Sequence, residues 1–252
     1  MTRLTTCADA MAVARRAADE VLRWVQAARE QRAVAHIALS GGSSPTLTYE
    51  LLAREPERLR DVEVWFADER CVPPQEEQSN YRLASRALLS PAALPQLRIH
   101  RMEGELGPEE GARRYARELA AHVAPERSAP AQASLRSADA RLPALDLVVL
   151  GIGPDGHVAS LFPDAPTLQA DAESLCLGVH DSPKPPPQRI TLSLPVLRAA
   201  RRCLLLASGA EKAAAIAAML AEPSRHVPAS LLRRERLTVI VDDAASPARA
   251  QS

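Results

Sequence analysis

The sequence has no charge excess: 31 Lys and Arg face 31 Asp and Glu over 252 residues. No net field therefore draws the molecule onto nucleic acid or an anionic membrane, and an anionic ligand must be held by local groups. Lysine is almost missing. Lys184 and Lys212 are the two in the chain and the other basic residues are Arg, a skew we ascribe, with the alanine richness, to nucleotide bias. The four cysteines, Cys7, Cys71, Cys176 and Cys203, lie too far apart in sequence for a zinc knuckle or a redox pair. Cys176 and Cys203 sit in apolar runs and read as small core residues, and the pattern fits a reducing compartment. No apolar run is long enough to span a bilayer, and no apolar core follows a basic start, so we expect no signal peptide and a cytoplasmic protein. No internal repeat is found. The chain is 46% hydrophobic and 25% charged, ordinary values for a globular protein.

What is present alternates. Residues 8–31 carry Met11, Ala14, Ala18, Val21, Leu22, Val25 and Ala28 at helical spacing. A short run with β-branched members, "VAHIALS", ends at Gly41-Gly42, and Pro45 opens a second helix. "VEVWFADER" is another strand, followed by a Pro-Pro loop and a helix near 79–89. A short strand near 97–100 and a helix near 108–123 come next. Residues 124–143, rich in Ala, Ser and Pro without periodicity, read as a mobile insertion within a single domain spanning 1–252. "LDLVVLG", "ESLCLGV", "RITLSLP", "RCLLLAS" and "RLTVIVD" are later strands, with helices at 210–220 and 228–232 between the last two. Strands alternating with helices, several of them apolar throughout, predict an α/β fold: an open, mainly parallel sheet with helices on both faces, Rossmann-like.

Ligands of such sheets bind beyond the carboxyl ends of the strands, so each loop on that edge is a candidate. "SGGSSPT" offers the backbone of Gly41, Gly42, Ser43 and Ser44, with Ser44 as helix cap and Pro45 as first helical residue. Free N–H groups at a helix start favour an anion, though the loop serves equally as a plain strand-to-helix turn. It lacks the Gly-Lys-Ser/Thr of a nucleotide loop, so one phosphate on a small molecule fits better than a triphosphate. "FADERCVPP" brings Asp68, Glu69 and Arg70: a solvated turn, or a guanidinium for phosphate with Asp68 for a sugar hydroxyl. "LGIGPDGHVASLFP" has the glycine spacing of a dinucleotide turn, but Pro154, Pro163 and Pro166 leave room for only a turn or two of helix. Gly153 and Gly156 instead let the loop present His157, with Asp155 to orient it. An imidazole titrates near about pH 6.5 and serves as a base with little tuning, although a lone His in a turn is more often a surface residue. "LASGAEKAAAI" puts Lys212 in the first turn of a helix, where a bound anion relieves its conflict with the dipole. Lys184 and Arg189 flank the proline run of "DSPKPPPQRITLSLP".

Taken in order, "SGGSSP", "WFADER", "SNYRLA", "GIGPDGHVASLFP", "PKPPPQRITLSLP" and "SGAEKAAAI" resemble the 6-phosphogluconolactonase family from about Ser40 to Asp242. Val158 stands where Thr is common in that family, forfeiting a hydroxyl contact, and 124–143 looks like an insertion. The resemblance implies a lactonase acting on a small sugar-phosphate lactone, without metal or redox cofactor and without nucleic-acid or membrane partner. We expect a monomer. It further implies His157 as base, aided by Asp155, and a phosphate and sugar grip drawn from Gly41, Gly42, Ser43, Ser44, Asp68, Arg70, Lys184, Arg189 and Lys212. The related glucosamine-6-phosphate deaminases carry a glutamate soon after their His. Here "VASLFP" has no carboxylate before Asp164, which argues for lactone hydrolysis. A non-catalytic sugar-phosphate sensor and a dinucleotide-dependent oxidoreductase are the more distant alternatives.

Overall fold

The apolar runs do become strands, but they sort into two sheets. The computed structural model describes residues 2–95, 98–125, 142–171 and 173–248. Six strands, β1 (Arg3–Cys7), β2 (Ala35–Leu39), β3 (Val62–Phe66), β5 (Leu147–Gly151), β8 (Cys203–Ala207) and β9 (Leu237–Asp242), form a parallel sheet in the order β1-β9-β8-β5-β2-β3. The central strands are buried along their length, with β8 and β9 covered at every residue, as expected where a sheet is packed on both sides. The other three, β4 (Asp68–Arg70), β6 (Cys176–Val179) and β7 (Arg189–Leu192), make a small antiparallel sheet, β4-β7-β6.

Helix α1 (Ala10–Arg32) starts where Asp9 accepts the Ala12 N–H at 2.7 Å. Its buried stripe runs from Val13 through Ala17, Val21 and Val25 to Ala28, while Met11 stays exposed. It packs on α2 (Ser43–Leu52) and on β8 and β9. Helix α3 (Asn80–Ala84) runs on as a π turn over Ser85–Leu89. Helix α4 (Pro108–His122) covers β6 and β7 of the small sheet. Helices α5 (Leu194–Ala199) and α6 (Ala213–Leu220) complete the set, α6 being preceded by a 3-10 turn over Ala210–Lys212.

Four expectations need correction. β1 was not anticipated: it is a half-exposed edge strand without an apolar period, ordered by its pairing with β9. β6 and β7 leave the parallel sheet for the antiparallel one. Asp68–Arg70 is neither the end of the preceding strand nor a loop but a strand of its own, because the triplet pairs with β7 in the register Asp68 with Thr191 and Arg70 with Arg189. The strand near 97–100 reduces to a single parallel bridge between Ile99 and Val64, with Leu97 outside the described residues. Of the insertion at 124–143, residues 126–141 also lie outside them; at its flanks Pro125 bridges Pro143.

The winding of the parallel sheet locates the cleft. From β2 the chain steps outward to β3, whereas from β5 it steps the other way through β8 to β9. β2 and β5 are neighbours, so the reversal falls between them, where loops diverge and leave a crevice at the carboxyl ends. Two buried tyrosines hold the ends of β2 and β3. Tyr49 donates to the Ser40 carbonyl at 2.8 Å and accepts its N–H at 3.1 Å. Tyr115 does the same for Phe66, at 3.0 and 2.7 Å. Each hydroxyl satisfies both backbone groups of a residue where ladder bonding stops, which otherwise costs about 1–3 kcal/mol per orphaned group.

Candidate active site

A cleft of about 170 Å³ opens at the reversal point between β2 and β5. The turn after β2 forms one wall. Gly42 has φ of 110° and is itself the N-cap of α2, without a side-chain capping bond. The left-handed turn starts the helix at Ser43, so Ser44 is not the cap and Pro45 is the third helical residue rather than the first. Gly41 and Gly42 wall the cleft, whereas Ser43 and Ser44 lie in the first helical turn and do not. A Cβ at Gly41 would collide with Oδ1 of Asn80 at well under 3.0 Å, so the close approach of this turn to α3 requires glycine.

From the small sheet come Asp68 and Arg70. Asp68 is 4% exposed, and protein donors meet both carboxylate oxygens: Asn80 Nδ2 on Oδ1 at 3.1 Å and Ser160 Oγ on Oδ2 at 2.8 Å. Asp68 thereby ties α3 to the loop that follows His157. Glu69 is committed to the start of α3: it accepts the N–H groups of Arg70, Asn80 and Tyr81 at 2.7 Å each and Ser79 Oγ at 3.0 Å. Burial nevertheless pushes its carboxyl above the usual range. Arg70 donates to the Gln78 carbonyl at 2.7 Å and lines the cleft. Arg189, 3% exposed, faces it across the strand pair and spends its Nε and Nη2 on the carbonyls of Pro186, Lys184 and Pro185. Burial, with the charge of Arg70, lowers its pKa.

The turn after β5 carries the imidazole. Gly156 N–H bonds the Gly153 carbonyl and Gly153 N–H bonds the His157 carbonyl, both at 2.9 Å. No α-helix follows: Val158 bridges Leu161 and is fully buried in the core, an apolar role that suits valine. His157 Nδ1 lies 2.6 Å from Asp155 Oδ1, and the ring is stacked at a tilt 4.7 Å from Phe162. A carboxylate can only accept, so Nδ1 carries the proton and Nε2 keeps its lone pair. Among the described residues Nε2 has no protein partner, and His157 lines the cleft. Burial works to raise the Asp155 carboxyl, but the hydrogen bond from His157 and the charges of His157 and Lys184 prevail and hold it well below the usual carboxylate range.

Lys212, at the end of its 3-10 turn, and Lys184 close the cleft on the remaining side. Burial lowers the Lys212 pKa; Glu211 opposes this, and Lys184 adds to it. Besides His157, seven of the nine expected binding residues wall this one cavity: Gly41, Gly42, Asp68, Arg70, Lys184, Arg189 and Lys212. Sequence reasoning missed Asn80, Ser160 and Phe162. Asn80 lay within a quoted string, next to a Ser with the spacing of a helix cap, but its bond to Asp68 is tertiary. Among the described residues no group of three or more His, Cys, Asp or Glu is arranged to hold a metal ion, and no helix is long and apolar enough to cross a membrane.

Comparison with known proteins finds relatives over most of the chain. The profile of the family described as glucosamine-6-phosphate isomerases/6-phosphogluconolactonase matches residues 8–241. A 6-phosphogluconolactonase of Streptomyces coelicolor is 36% identical over 249 residues, covering 94% of this chain and 91% of its own. The human 6-phosphogluconolactonase is 37% identical over 222 residues, 83% and 79% of the two chains. The structure of 6-phosphogluconolactonase from Trypanosoma brucei superposes with a TM-score of 0.85 at 26% identity, covering 98% of both chains.

Proposed function

The chain belongs to the glucosamine-6-phosphate isomerase/6-phosphogluconolactonase family, and from that premise we propose that it hydrolyses 6-phospho-D-glucono-1,5-lactone to 6-phospho-D-gluconate, the second step of the oxidative pentose phosphate pathway. His157 is the general base. Its Nε2 takes a proton from water as the water oxygen attacks C1 of the lactone. The tetrahedral oxyanion collapses, the bond from C1 to the ring oxygen breaks, and the imidazolium returns its proton to that oxygen. The products are a free hydroxyl and a carboxylic acid, which ionises and releases one proton to solvent. Asp155 fixes the ring and stabilises its positive charge while the proton is held.

The observation that carries this reading is the pairing of Nδ1 with a carboxylate, which leaves Nε2 as the lone-pair nitrogen on a cleft also walled by Arg70, Lys184, Arg189 and Lys212. Those four cations, with the Gly41–Gly42 backbone, suit a phosphate held at the far end of the sugar from the reacting carbon. A lactone is already an activated ester, so one base plus orientation suffices; a positioned base contributes about 10²- to 10⁴-fold. The test is proton release from freshly prepared phosphogluconolactone. The protein should accelerate it well above the spontaneous rate, and His157→Ala should lose about 10²- to 10⁴-fold while still binding 6-phosphogluconate. A wild-type protein that leaves the spontaneous rate unchanged defeats the proposal, and ammonia release from glucosamine 6-phosphate would assign the deaminase reaction instead.

A further inference from the structure

One carboxylate oxygen at the cleft has two claimants. Asp155 Oδ1 is 2.6 Å from His157 Nδ1 and 3.6 Å from Lys184 Nζ. We infer that Lys184 is a positioning residue for the base: its ammonium rests on Asp155 until a phosphorylated substrate draws it away, and Asp155 then serves His157 alone. This deepens the reaction proposed above and rests on it for the identity of the substrate.

The anchoring of Lys184 separates a fixed backbone from a movable head. Its carbonyl accepts Ser182 Oγ at 2.8 Å and Arg189 Nη2 at 3.0 Å, and its N–H donates to Ser182 Oγ at 3.2 Å. Beyond Cα, the ion pair to Asp155 is the contact that places the ammonium, and the side chain is 40% exposed. The imidazole side of the pair has no comparable freedom. The space beside Gly153 is filled by His157 Nδ1, His157 Cε1 and Asp155 Oδ1, so that even a Cβ there would overlap them, and Phe162 backs the ring. Between the two partners of Asp155, the lysine is the one that can leave.

The surrounding charges supply the reason to leave. Lys212, from the turn before α6, feels Lys184 as a repelling charge, with Glu211 opposing. Arg189 from β7 and Arg70 from β4 wall the same cleft. Asp68 walls it too, with both oxygens engaged by Asn80 and Ser160. Asp155 is thus the carboxylate available to Lys184, and an entering phosphate is a stronger, doubly charged competitor. Once Lys184 has moved, Asp155 no longer divides its charge between an ammonium and the ring. The base is strengthened after substrate is bound, when the imidazolium must be stabilised.

Two measurements test this, one of them independent of turnover. The chain has two lysines, so lysine labelled with ¹³C at Cε yields two resonances, which Lys184→Met assigns. Asp155→Asn should move the Lys184 resonance in the free protein, and inorganic phosphate should move it in the wild type. A Lys184 resonance indifferent to both overturns the inference. In turnover, kcat/KM reports the free enzyme and kcat the complex. Lys184→Met should shift the acid limb of the kcat/KM profile to higher pH by about half a unit, the size expected of one nearby, partly screened charge. The acid limb of kcat should stay where it is in the wild type, KM should rise, and Lys184→Arg should restore the wild-type limb. Ionisation of the substrate phosphate is common to all three proteins and cancels. Coincident kcat/KM limbs, or equal shifts in both profiles, overturn the inference. Failure of the lactonase reading shows separately, as a wild type that does not speed lactone opening.

Discussion

Gly153→Ala probes the base more cleanly than deletion of the base itself. Glycine at 153 is not demanded by backbone conformation: the left-handed glycines are Gly42, Gly107, Gly156 and Gly209. An alanine there is tolerable for the main chain, and the added methyl meets a single obstacle. Its carbon would sit well under 3.0 Å from His157 Nδ1, His157 Cε1 and Asp155 Oδ1, where carbon and these atoms need about 3.5 Å. Relief takes a displacement of more than about 1 Å, and a misplacement of about 1 Å at a reacting group already costs about 10²-fold in rate. The cations that grip phosphate belong to other segments, so KM should change little. The pair sits on a partly exposed turn outside the core, so the loss of stability should stay within about 1 kcal/mol, or a shift in Tm of a few degrees. The assay is proton release from fresh lactone, corrected for spontaneous opening, with a thermal melt of the same sample. A kcat within threefold of wild type in a normally folded protein would refute the placement of His157 and Asp155 as the working pair.

Other substitutions separate grip, charge and scaffold. Lys212→Ala removes a charge-assisted contact with the phosphate, worth about 1.5–3 kcal/mol, and should raise KM by roughly 10- to 100-fold; an unchanged KM takes the residue out of the grip. Asp155→Asn should show in acid unfolding. The folded-state pKa of Asp155 is depressed, so its contribution to stability is complete above the unfolded value near about pH 4 and is lost as pH falls through the folded value. The stability gap between wild type and variant should therefore narrow below about pH 4; a gap that is constant with pH contradicts the ion-pair account. Tyr49→Phe leaves the N–H and carbonyl of Ser40 without the hydroxyl that serves both. It should cost about 1–3 kcal/mol, read as a lower urea midpoint at unchanged m-value, and an unaltered midpoint would show that water or backbone shifts replace the bond.

The parallel sheet was legible because β2, β3, β5, β8 and β9 are apolar runs that punctuate helical segments. β1 was not, since "RLTTC" has no periodicity and owes its conformation to β9. The small sheet escaped for a related reason. The string "VEVWFADER" was read as one strand, but nothing in Asp68-Glu69-Arg70 shows that these three leave it for a second sheet, where their partner is Arg189–Leu192, more than a hundred residues away. At the cleft the loops were found one by one through their chemistry, and four cations from three segments do meet there. The role of Asn80 was hidden because its amide acts on Asp68, which local sequence does not connect to it. The start of α2 was misjudged because proline and serine signal a helix entry, yet a glycine with positive φ can begin it sooner.

Ala67 is a single peptide unit shared by two architectures: its N–H bonds the Leu39 carbonyl of the parallel sheet at 2.7 Å, and its carbonyl accepts the Leu192 N–H of the antiparallel one at 2.8 Å. The imidazole rides on the first of these sheets and the two guanidinium groups on the second. Gly41, Gly42 and Lys212 follow strands of the first sheet as well, so the seam sets where the guanidinium groups stand relative to the imidazole and to the rest of the proposed grip. One residue inserted beside Ala67 would shift the guanidinium groups against the imidazole and should change which length of sugar the molecule accepts.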